Sequence, residues 1–386
     1  MSDTLSVPVR ARVATGIVFA LHAAMFACWT PHIPEVKHRL GLDDGTLGLT
    51  LLGAPVGSVV AMLLVGNAVA RFGSRRVVPV LLLGYGLTSP LLGYAWSGWS
   101  LFLALALWGG FQGGLDVAQN SQGIAVERAY RRPILTSFHA WWSLGSFVGV
   151  GVGAVLIGLG VDLAGQMIGV AVLAVLVTVP LTRPLLADRS VDEHRLAAPW
   201  RDRRVLVLGA IIFAALLCEG AIGDWAALYL RESIGVPVER AGLGFGVFAA
   251  LMVLGRAMGD RWVLRFGPAR VVGVLAAVGA VGFGVALVSG GFWFALVGFG
   301  AFGLGLSCIV PVAFSVAAEQ SDAHAGQAIA GVATAGWAGF LLGPPLIGLL
   351  AHASSLPVAL GLLPVLCAAV VFGARALGGR TPGGRE

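Results

Sequence analysis

The segment Gly109–Gly149 reads GGFQGGLDVAQNSQGIAVERAYRRPILTSFHAWWSLGSFVG and joins two long apolar runs through a short basic turn. In the first run, Gln112, Asp116 and Asn120 follow one another at intervals of four residues. On a helix this spacing places an amide, a carboxylate and a second amide along one face. A carboxylate inside an apolar helix is costly to keep charged, so it is usually buried against protein or water and serves a function. The pattern therefore predicts a helix that handles protons and a polar solute.

The same helix carries glycines at the spacing that allows close helix packing. Gly109 with Gly113, and Gly110 with Gly114, give two G-x-x-x-G patterns, which let the backbone of another helix come near. The basic turn Arg128–Arg132 follows, and a second apolar helix comes after it. We expect a helical hairpin whose turn lies in the cytoplasm.

The composition indicates that lipid is the solvent of this chain. Of the 386 residues, 58% are hydrophobic and only 11% are charged, whereas soluble domains carry roughly 25% charged residues. The formal net charge of +6 could suggest nucleic acid. However, the arginines lie in short loops between apolar runs, which is typical of membrane topology signals. The predicted partners are therefore a lipid bilayer and a small-molecule substrate, and no nucleic acid.

Apolar runs of about 20 residues, each long enough to cross a bilayer, recur along the whole chain. We predict an all-α membrane protein with twelve transmembrane helices in two pseudo-symmetric six-helix bundles. The predicted spans cover about 13–33, 46–65, 77–95, 99–126, 136–160, 163–182, 205–228, 241–258, 271–289, 292–316, 326–350 and 356–377. The predicted domains are an N-terminal bundle at 1–182, a polar cytoplasmic linker at 183–204 and a C-terminal bundle at 205–386.

The segments between the predicted spans set the orientation. We expect a charged loop at 35–44, basic turns at 66–78 and 259–270, and a short loop at 229–240. With the N-terminus inside, nearly all arginines lie in cytoplasmic loops. The first apolar run lacks a cleavage-site pattern and is long enough to span the bilayer, so it is predicted to be a membrane helix. Both termini are predicted to be cytoplasmic. The protein is predicted to be a monomer and to lie in a bacterial cytoplasmic membrane.

An internal repeat relates the two halves. The triplet Arg71–Gly73 recurs as Arg265–Gly267, 194 residues further on, and each copy lies between the second and third span of its half. Many secondary transporters are built from two repeats, with the substrate site between them near the bilayer midplane.

The basic turns resemble the cytoplasmic motif of the major facilitator superfamily, G-x-x-x-D-R-x-G-R-R in outline. In the first copy Ala70 stands where the family usually has Asp. An acidic side chain that could hold one conformational state is therefore missing from this turn. The resemblance implies that these turns control alternation between inward-open and outward-open states. The residues assigned to this gating motif are Gly66, Arg71, Gly73, Arg75, Arg76, Gly259, Asp260, Arg261 and Gly267.

Within the superfamily the chain resembles the fucose-permease-like branch. The similar stretches are 115–120, 219–230 and 336–348. Asp116 falls where the branch has its membrane-embedded acid, which implies a main proton-coupling role. The first helix of sugar–proton symporters in the branch also bears an acid, but this chain has only His22 there.

The remaining polar residues of the predicted spans form the rest of the candidate site. Glu219 is the reserve proton-coupling acid, followed by Asp224 and His22. Glu219 and Asp224 are five residues apart, roughly 140° around a helix, so both cannot face one cavity squarely. The candidate substrate-binding residues are amides, aromatic residues and a histidine: Gln112, Gln119, Asn120, Trp29, His139, Trp142, Trp225 and Trp337.

Other classes of protein find less support in the sequence. An ATP-driven pump would need a phosphate loop ending in Gly-Lys, but the only lysine, Lys37, follows a valine. The sequence has no H-E-x-x-H or G-x-S-x-G motif, so we predict no enzymatic activity, and no cofactor or metal site either. Two repeats rich in glycine favour a carrier over a channel. Uptake of a sugar or other polar solute with protons, and efflux of amphiphilic drugs by proton antiport, remain alternatives.

Overall fold

The computed structural model describes residues 7–131, 134–187, 203–318 and 325–377, and every regular element within them is helical. The first nine helices are α1 (Val7–Ala27), α2 (Ile33–Leu40), α3 (Asp44–Leu51), α4 (Gly53–Phe72), α5 (Ser74–Thr88), α6 (Pro90–Gly93), α7 (Gly98–Tyr130), α8 (Leu135–Gly158) and α9 (Leu163–Thr182). The next nine are α10 (Arg203–Leu228), α11 (Val238–Ala241), α12 (Leu243–Phe266), α13 (Pro268–Ser289), α14 (Phe292–Leu306), α15 (Ile309–Ala318), α16 (Ala325–Ala353), α17 (Leu356–Leu360) and α18 (Leu362–Gly373).

Twelve helical segments in the described residues are long and apolar enough to cross a membrane, which confirms the predicted number of spans. They are Pro8–Leu40, Asp44–Phe72, Ser74–Gly93, Gly98–Tyr130, Ser137–Gly158, Leu163–Thr182, Arg203–Ser233, Val238–Phe266, Pro268–Ser289, Phe292–Ala317, Thr334–Ala353 and Leu356–Leu377. Several of these segments contain a break between two helices. The tenth, for example, is interrupted at Ser307–Cys308, between α14 and α15.

Two predicted loops are partly helical, so the prediction of simple loops is wrong there. In the segment 35–44, α2 continues to Leu40 and ends at Gly41, whose φ of 62° lies in the left-handed region that favours glycine. In the segment 229–240, a π-helical turn covers Tyr229–Ser233, and α11 begins directly after Pro237. Both segments begin as continuations of a membrane helix, and composition does not show where such a helix stops.

The basic turns are also narrower than predicted, because most of their residues belong to helices. The chain reverses at Gly73 between α4 and α5, and at Gly267 between α12 and α13. Their φ angles of 78° and 81° lie in the region that favours glycine. Arg71 and Arg265 each place the guanidinium group over the ring of the next phenylalanine, at 5.1 and 5.2 Å. The sequence repeat is therefore also a structural repeat.

The helix pair α4–α7 is packed through the predicted glycines. A Cβ atom added at Gly109 would collide with the carbonyl group of Ala54, and one added at Gly113 would collide with Ser58. The Ser58 hydroxyl donates to the carbonyl oxygen of Gly109 at 2.7 Å. The close approach expected from the G-x-x-x-G spacing is confirmed. It fixes α7, the helix of Asp116, against its neighbour.

The hairpin between α7 and α8 is closed by a carboxylate. Glu127 Oε2 accepts from the backbone N–H groups of Ile134 and Leu135, both at 2.7 Å. These N–H groups lie at the start of α8, where no preceding helical turn supplies an acceptor. Arg131 ends α7 in the left-handed conformation, with a φ of 54°. Arg132 and Pro133 of the predicted basic turn lie outside the described residues.

By internal contacts the chain divides into two compact units. Unit 1 comprises residues 1–193 and 235–246, and unit 2 comprises residues 194–234 and 247–386. In unit 1, α1 packs on α8, and α5 packs on α7 and α9. In unit 2, α10 packs on α16, and α13 packs on α14 and α18. The predicted boundaries at 182 and 205 stay a prediction, and residues 188–202 of the predicted linker lie outside the described residues.

Candidate functional site

Asp116 lies in α7 and is held by two amides of the same helix. Gln119 Nε2 donates to its Oδ1 at 3.4 Å, and Asn120 Nδ2 donates to the same oxygen at 3.2 Å. Asn120 Nδ2 also donates to the backbone carbonyl of Asp116 at 2.8 Å, which fixes the orientation of that amide. Gln112 is half-buried one turn before Asp116. The carboxylate is therefore a half-buried acceptor, able to take up a proton or a donor group of a solute.

His22 is the centre of an aromatic cluster in unit 1. Its fully buried ring packs edge-on against Tyr85 and Trp142, with centroids 5.3 and 4.6 Å apart. Tyr85 in turn stacks on Trp108 at 4.7 Å. The side chain of Gln119 lies next to the His22 ring, in a geometry short of a hydrogen bond. Side chains from α1, α5, α7 and α8 thus meet around one histidine.

Polar groups in this cluster have no hydrogen-bond partner within the described residues. They are both ring nitrogens of His22, the Tyr85 hydroxyl, Trp108 Nε1 and Gln119 Oε1. Leaving one buried polar group unsatisfied costs about 1–3 kcal/mol. Such groups therefore suit ordered water or the hydroxyl and amide groups of a solute. Tyr85 and Trp108 were not predicted from the sequence, because a single aromatic residue in an apolar span more often serves packing.

In unit 2, Glu219 of α10 forms an ion pair with Arg256 of α12. Arg256 Nη2 donates to Glu219 Oε2 at 3.4 Å. Arg256 was not predicted as a site residue, because it lies inside the apolar run of the eighth predicted span. The signal was present, since an arginine inside a membrane helix is rare and usually functional. Asp224 lies five residues beyond Glu219 and is half-buried beside the fully buried Trp225.

The other candidate substrate residues lie in separate places. Trp29 is buried just beyond the end of α1. His139 packs edge-on against Phe19, with centroids 5.7 Å apart. In unit 2, Trp337 packs edge-on against Phe340 at 5.9 Å. Of the predicted substrate residues, Gln119 and Trp142 lie beside His22, and Gln119 and Asn120 donate to Asp116.

A histidine that sequence analysis did not single out connects two helices at the predicted outer end of unit 1. His32 is fully buried, with Nδ1 3.0 Å from Glu35 Oε2 and Nε2 3.1 Å from Gln166 Oε1. Gln166 Nε2 donates to the carbonyl oxygen of Cys28 at 2.7 Å. This network joins the end of α1 to α9.

Of the residues assigned to gating, Gly73 and Gly267 form the two turns, and Arg71 and Arg75 lie two residues on either side of the first turn. Arg75 Nη2 donates to the carbonyl oxygen of Arg183 at 3.3 Å. With its amide nitrogen placed towards Ser74 Oγ (2.7 Å), Gln122 also donates to the carbonyl of Leu186 at 3.1 Å and accepts from its N–H at 2.8 Å. The first turn thus binds the chain that follows α9. The other assigned residues lie in the helices that meet at the turns: Gly66, Arg76, Gly259, Asp260 and Arg261.

Three features define a multi-pass membrane carrier: twelve apolar helices, a glycine turn that recurs in each of the two repeats, and acids embedded in the helices. The chain belongs to the Major Facilitator Superfamily, whose family pattern it matches over residues 15–263 and 208–385. It is therefore a transporter of a small solute, and not an enzyme.

Similar proteins are known from bacteria. The chain is 34% identical to an uncharacterised MFS-type transporter of Yersinia pestis, over 95% of each chain. It is 31% identical to the membrane protein MosC of Rhizobium meliloti, over 93% of this chain and 89% of that protein. Among solved structures, the nucleoside transporter NupG matches with a TM-score of 0.74 at 14% identity, over 97% and 99% of the two chains. The D-xylose-proton symporter matches with a TM-score of 0.69 at 16% identity, over 94% and 97%.

Proposed function

We propose that this protein is a proton-coupled transporter that moves a small, neutral polar solute across a bacterial cytoplasmic membrane by alternating access. The observation that carries the proposal is the arrangement Asp116–Gln119–His22. Asp116 accepts from the Gln119 amide, and the same Gln119 side chain lies next to the His22 ring. An acid that can bind a proton is thereby linked to a buried polar and aromatic cluster.

Gln119 is the connecting residue in this mechanism. When Asp116 is ionised, its carboxylate accepts the Gln119 N–H group. Protonation adds an O–H donor and removes the charge, so the amide loses its best acceptor. Gln119 is then free to turn towards His22 and the solute. Proton affinity that depends on the conformational state couples proton flow to alternation.

The side chains of the aromatic cluster favour a neutral polar solute. Tyr85 and Trp108 offer O–H and N–H donors, and Gln119 offers a carbonyl oxygen. Aromatic faces next to such groups suit the ring of a sugar or a nucleoside. The resemblance to the fucose-permease-like branch supports a sugar, and the structural neighbours include transporters named for nucleosides and for D-xylose.

The test begins with ligand binding. Purified protein is melted with D-xylose, L-fucose or uridine, because a ligand that binds the folded state raises its melting temperature. The compound with the largest shift is then used with proteoliposomes that contain a pH-sensitive dye. We expect addition of the compound outside to acidify the interior. Alkalinisation, or selective stabilisation by an amphiphilic drug, would instead support proton-antiport efflux and overturn the proposal.

The coupling role is tested with Asp116→Asn, which keeps the shape of the side chain but cannot ionise. We expect this variant to lose accumulation against a gradient and to retain exchange of labelled for unlabelled solute. Glu239→Gln, which changes an exposed acid of α11, is the matched control and should behave like the wild type. Accumulation by Asp116→Asn with normal pH dependence would exclude Asp116 as the coupling acid. The same test would then move to Glu219, Asp224 and His22.

We also propose that the protein acts as a monomer with both termini in the cytoplasm, and that its two glycine turns control alternation. The arginine asymmetry of the loops supports this orientation. The contact of Arg75 with the chain after α9 supports a conformational role for the first turn.

A further inference from the structure

The ion pair between Glu219 and Arg256 lies deep in two membrane helices. Arg256 lies roughly 20 Å from the start of α12, and Glu219 roughly 24 Å from the start of α10, at 1.5 Å per residue. The Arg256 side chain is 19% exposed and that of Glu219 is 24% exposed. A charged side chain at this depth is costly unless an opposite charge faces it. Each member of the pair therefore compensates the charge of the other inside unit 2.

Each member of the pair belongs to a different, tightly packed pair of helices. In α10–α16, a Cβ atom added at Gly339 would collide with the carbonyl group of Phe213. In α12–α14, a Cβ atom added at Gly303 would collide with the carbonyl group of Phe248. The backbones of the two helices in each pair are therefore in close contact. The ion pair is a polar link between the two helix pairs.

The described helices that pack around the pair carry few other charges. Within their described bounds, α14, α15 and α16 contain no Asp, Glu, Lys or Arg. Near Arg256 lie Cys308, at the break between α14 and α15, and Asp260, four residues further along α12. Residues four apart on a helix are neighbours, so Asp260 is the acid of its own helix within reach of Arg256.

We propose that Arg256 is a positioning residue for Glu219, and that the pair forms a proton-sensitive brace between α10–α16 and α12–α14. Protonation of Glu219 removes the charge that holds the guanidinium, which itself stays charged. Arg256 then turns to Asp260, in the cytoplasmic motif. A proton taken up at Glu219 thus loosens the contact between the two helix pairs and changes the charge pairing of Asp260 in the second motif.

The brace is tested first by thermal stability, which needs no substrate. We compare Glu219→Gln, Arg256→Gln and the double variant as full-length protein in detergent at neutral pH. Each single variant removes one charge of the ion pair and should melt several degrees below the wild type. The double variant removes both charges and should melt above Arg256→Gln. Additive losses in the double variant would show that the residues do not act as a unit, and would overturn the proposal.

The control is the ion pair Lys37–Asp44, which is formed at 2.6 Å at a helix end. Its side chains are 12% and 20% exposed, so burial within the protein matches that of Glu219 and Arg256, but the pair lies at a helix end that we assign to the membrane surface. The same cycle with Lys37→Gln and Asp44→Asn should show a smaller coupling, because water and salt at the membrane surface screen the charges. The melting temperatures of the wild type, the two single variants and the double variant are then measured again at low pH. A proton-sensitive brace requires the coupling between Glu219 and Arg256 to shrink there. A coupling that does not change with pH would exclude a proton-sensitive brace.

The coupling part of this inference rests on the proposed proton-driven transport, and its readout is the pH profile of solute exchange in liposomes. Arg256→Lys keeps the charge but changes its position, so we expect exchange with a shifted pH profile. In Glu219→Gln the profile should flatten. If both variants keep the wild-type profile while Asp116→Asn loses accumulation, the brace is excluded and the proposed function stands. If Asp116→Asn accumulates solute like the wild type, the proposed function is excluded, but the melting comparison of the Glu219 and Arg256 variants still stands.

Discussion

Gly145 of α8 lies directly against the backbone carbonyl of Ala20 in α1, so that any side chain at residue 145 would collide with it. The same relationship recurs in unit 2, where Gly339 of α16 lies against the carbonyl of Phe213 in α10. The two glycines are 194 residues apart, the same interval that separates Gly73 from Gly267. The repeat therefore includes the packing of the helices as well as the turns.

We expect Gly145→Ala to destabilise the protein. The added Cβ atom would force α1 and α8 apart, and such overpacking typically costs about 1–3 kcal/mol. Gly151→Ala in the same helix is the matched control, because nothing lies within 4 Å of a Cβ atom at that position. The control should be neutral or gain up to about 1 kcal/mol from helix propensity. The measurement is thermal melting of both variants. Equal melting temperatures would contradict the packing argument.

Glu127 should be important for the hairpin between α7 and α8. Glu127→Ala removes an oxygen that accepts two backbone N–H groups, and we expect a loss of about 1–3 kcal/mol. Glu127→Gln keeps a carbonyl oxygen at the same distance from the backbone and should lose less. The measurement is thermal melting in detergent. If Glu127→Gln is as unstable as Glu127→Ala, the charge of Glu127 matters and the acceptor geometry does not.

The orientation of the protein can be read from two exposed positions. Single cysteines replace Arg76, at the first glycine turn, and His38, in α2, in a protein that lacks the native cysteines. An impermeant maleimide added to intact cells should label the cysteine at 38 and spare the one at 76. Disruption of the cells should expose both. Labelling of the cysteine at 76 in intact cells would reverse the proposed topology.

The glycine turns should affect the rate of transport more than the affinity for the solute. Arg75→Ala removes a contact with the carbonyl of Arg183, and Asp260→Asn removes a charge of the second motif. Both changes lie in motifs that we assign to the cytoplasmic surface, so their free energy enters the equilibrium between states. We expect a lower maximal rate with a nearly unchanged half-saturation concentration in liposomes. A large loss of binding at an unchanged rate would contradict a gating role.

The fold could be predicted from the sequence because lipid imposes simple rules on length, charge and glycine spacing. The limits of the helices could not, since α2 and the π-helical turn continue a membrane helix with residues that also suit loops. At the site, the stripe that includes Asp116 could be predicted from its spacing alone. Tyr85, Trp108 and Arg256 were missed because their roles depend on neighbours from other helices.

The segment 235–246 decides how this chain can be divided in the laboratory. A cut in the linker gives two fragments of nearly equal length, yet the second fragment carries α11, which packs on α8 of unit 1. A Cβ atom added at Gly242 of this segment would contact Pro31 and Val150. The first fragment expressed alone would leave this apolar surface bare. Complementation by co-expressed halves is thus the natural assay for the split protein, and an isolated N-terminal half is a poor subject for crystallisation.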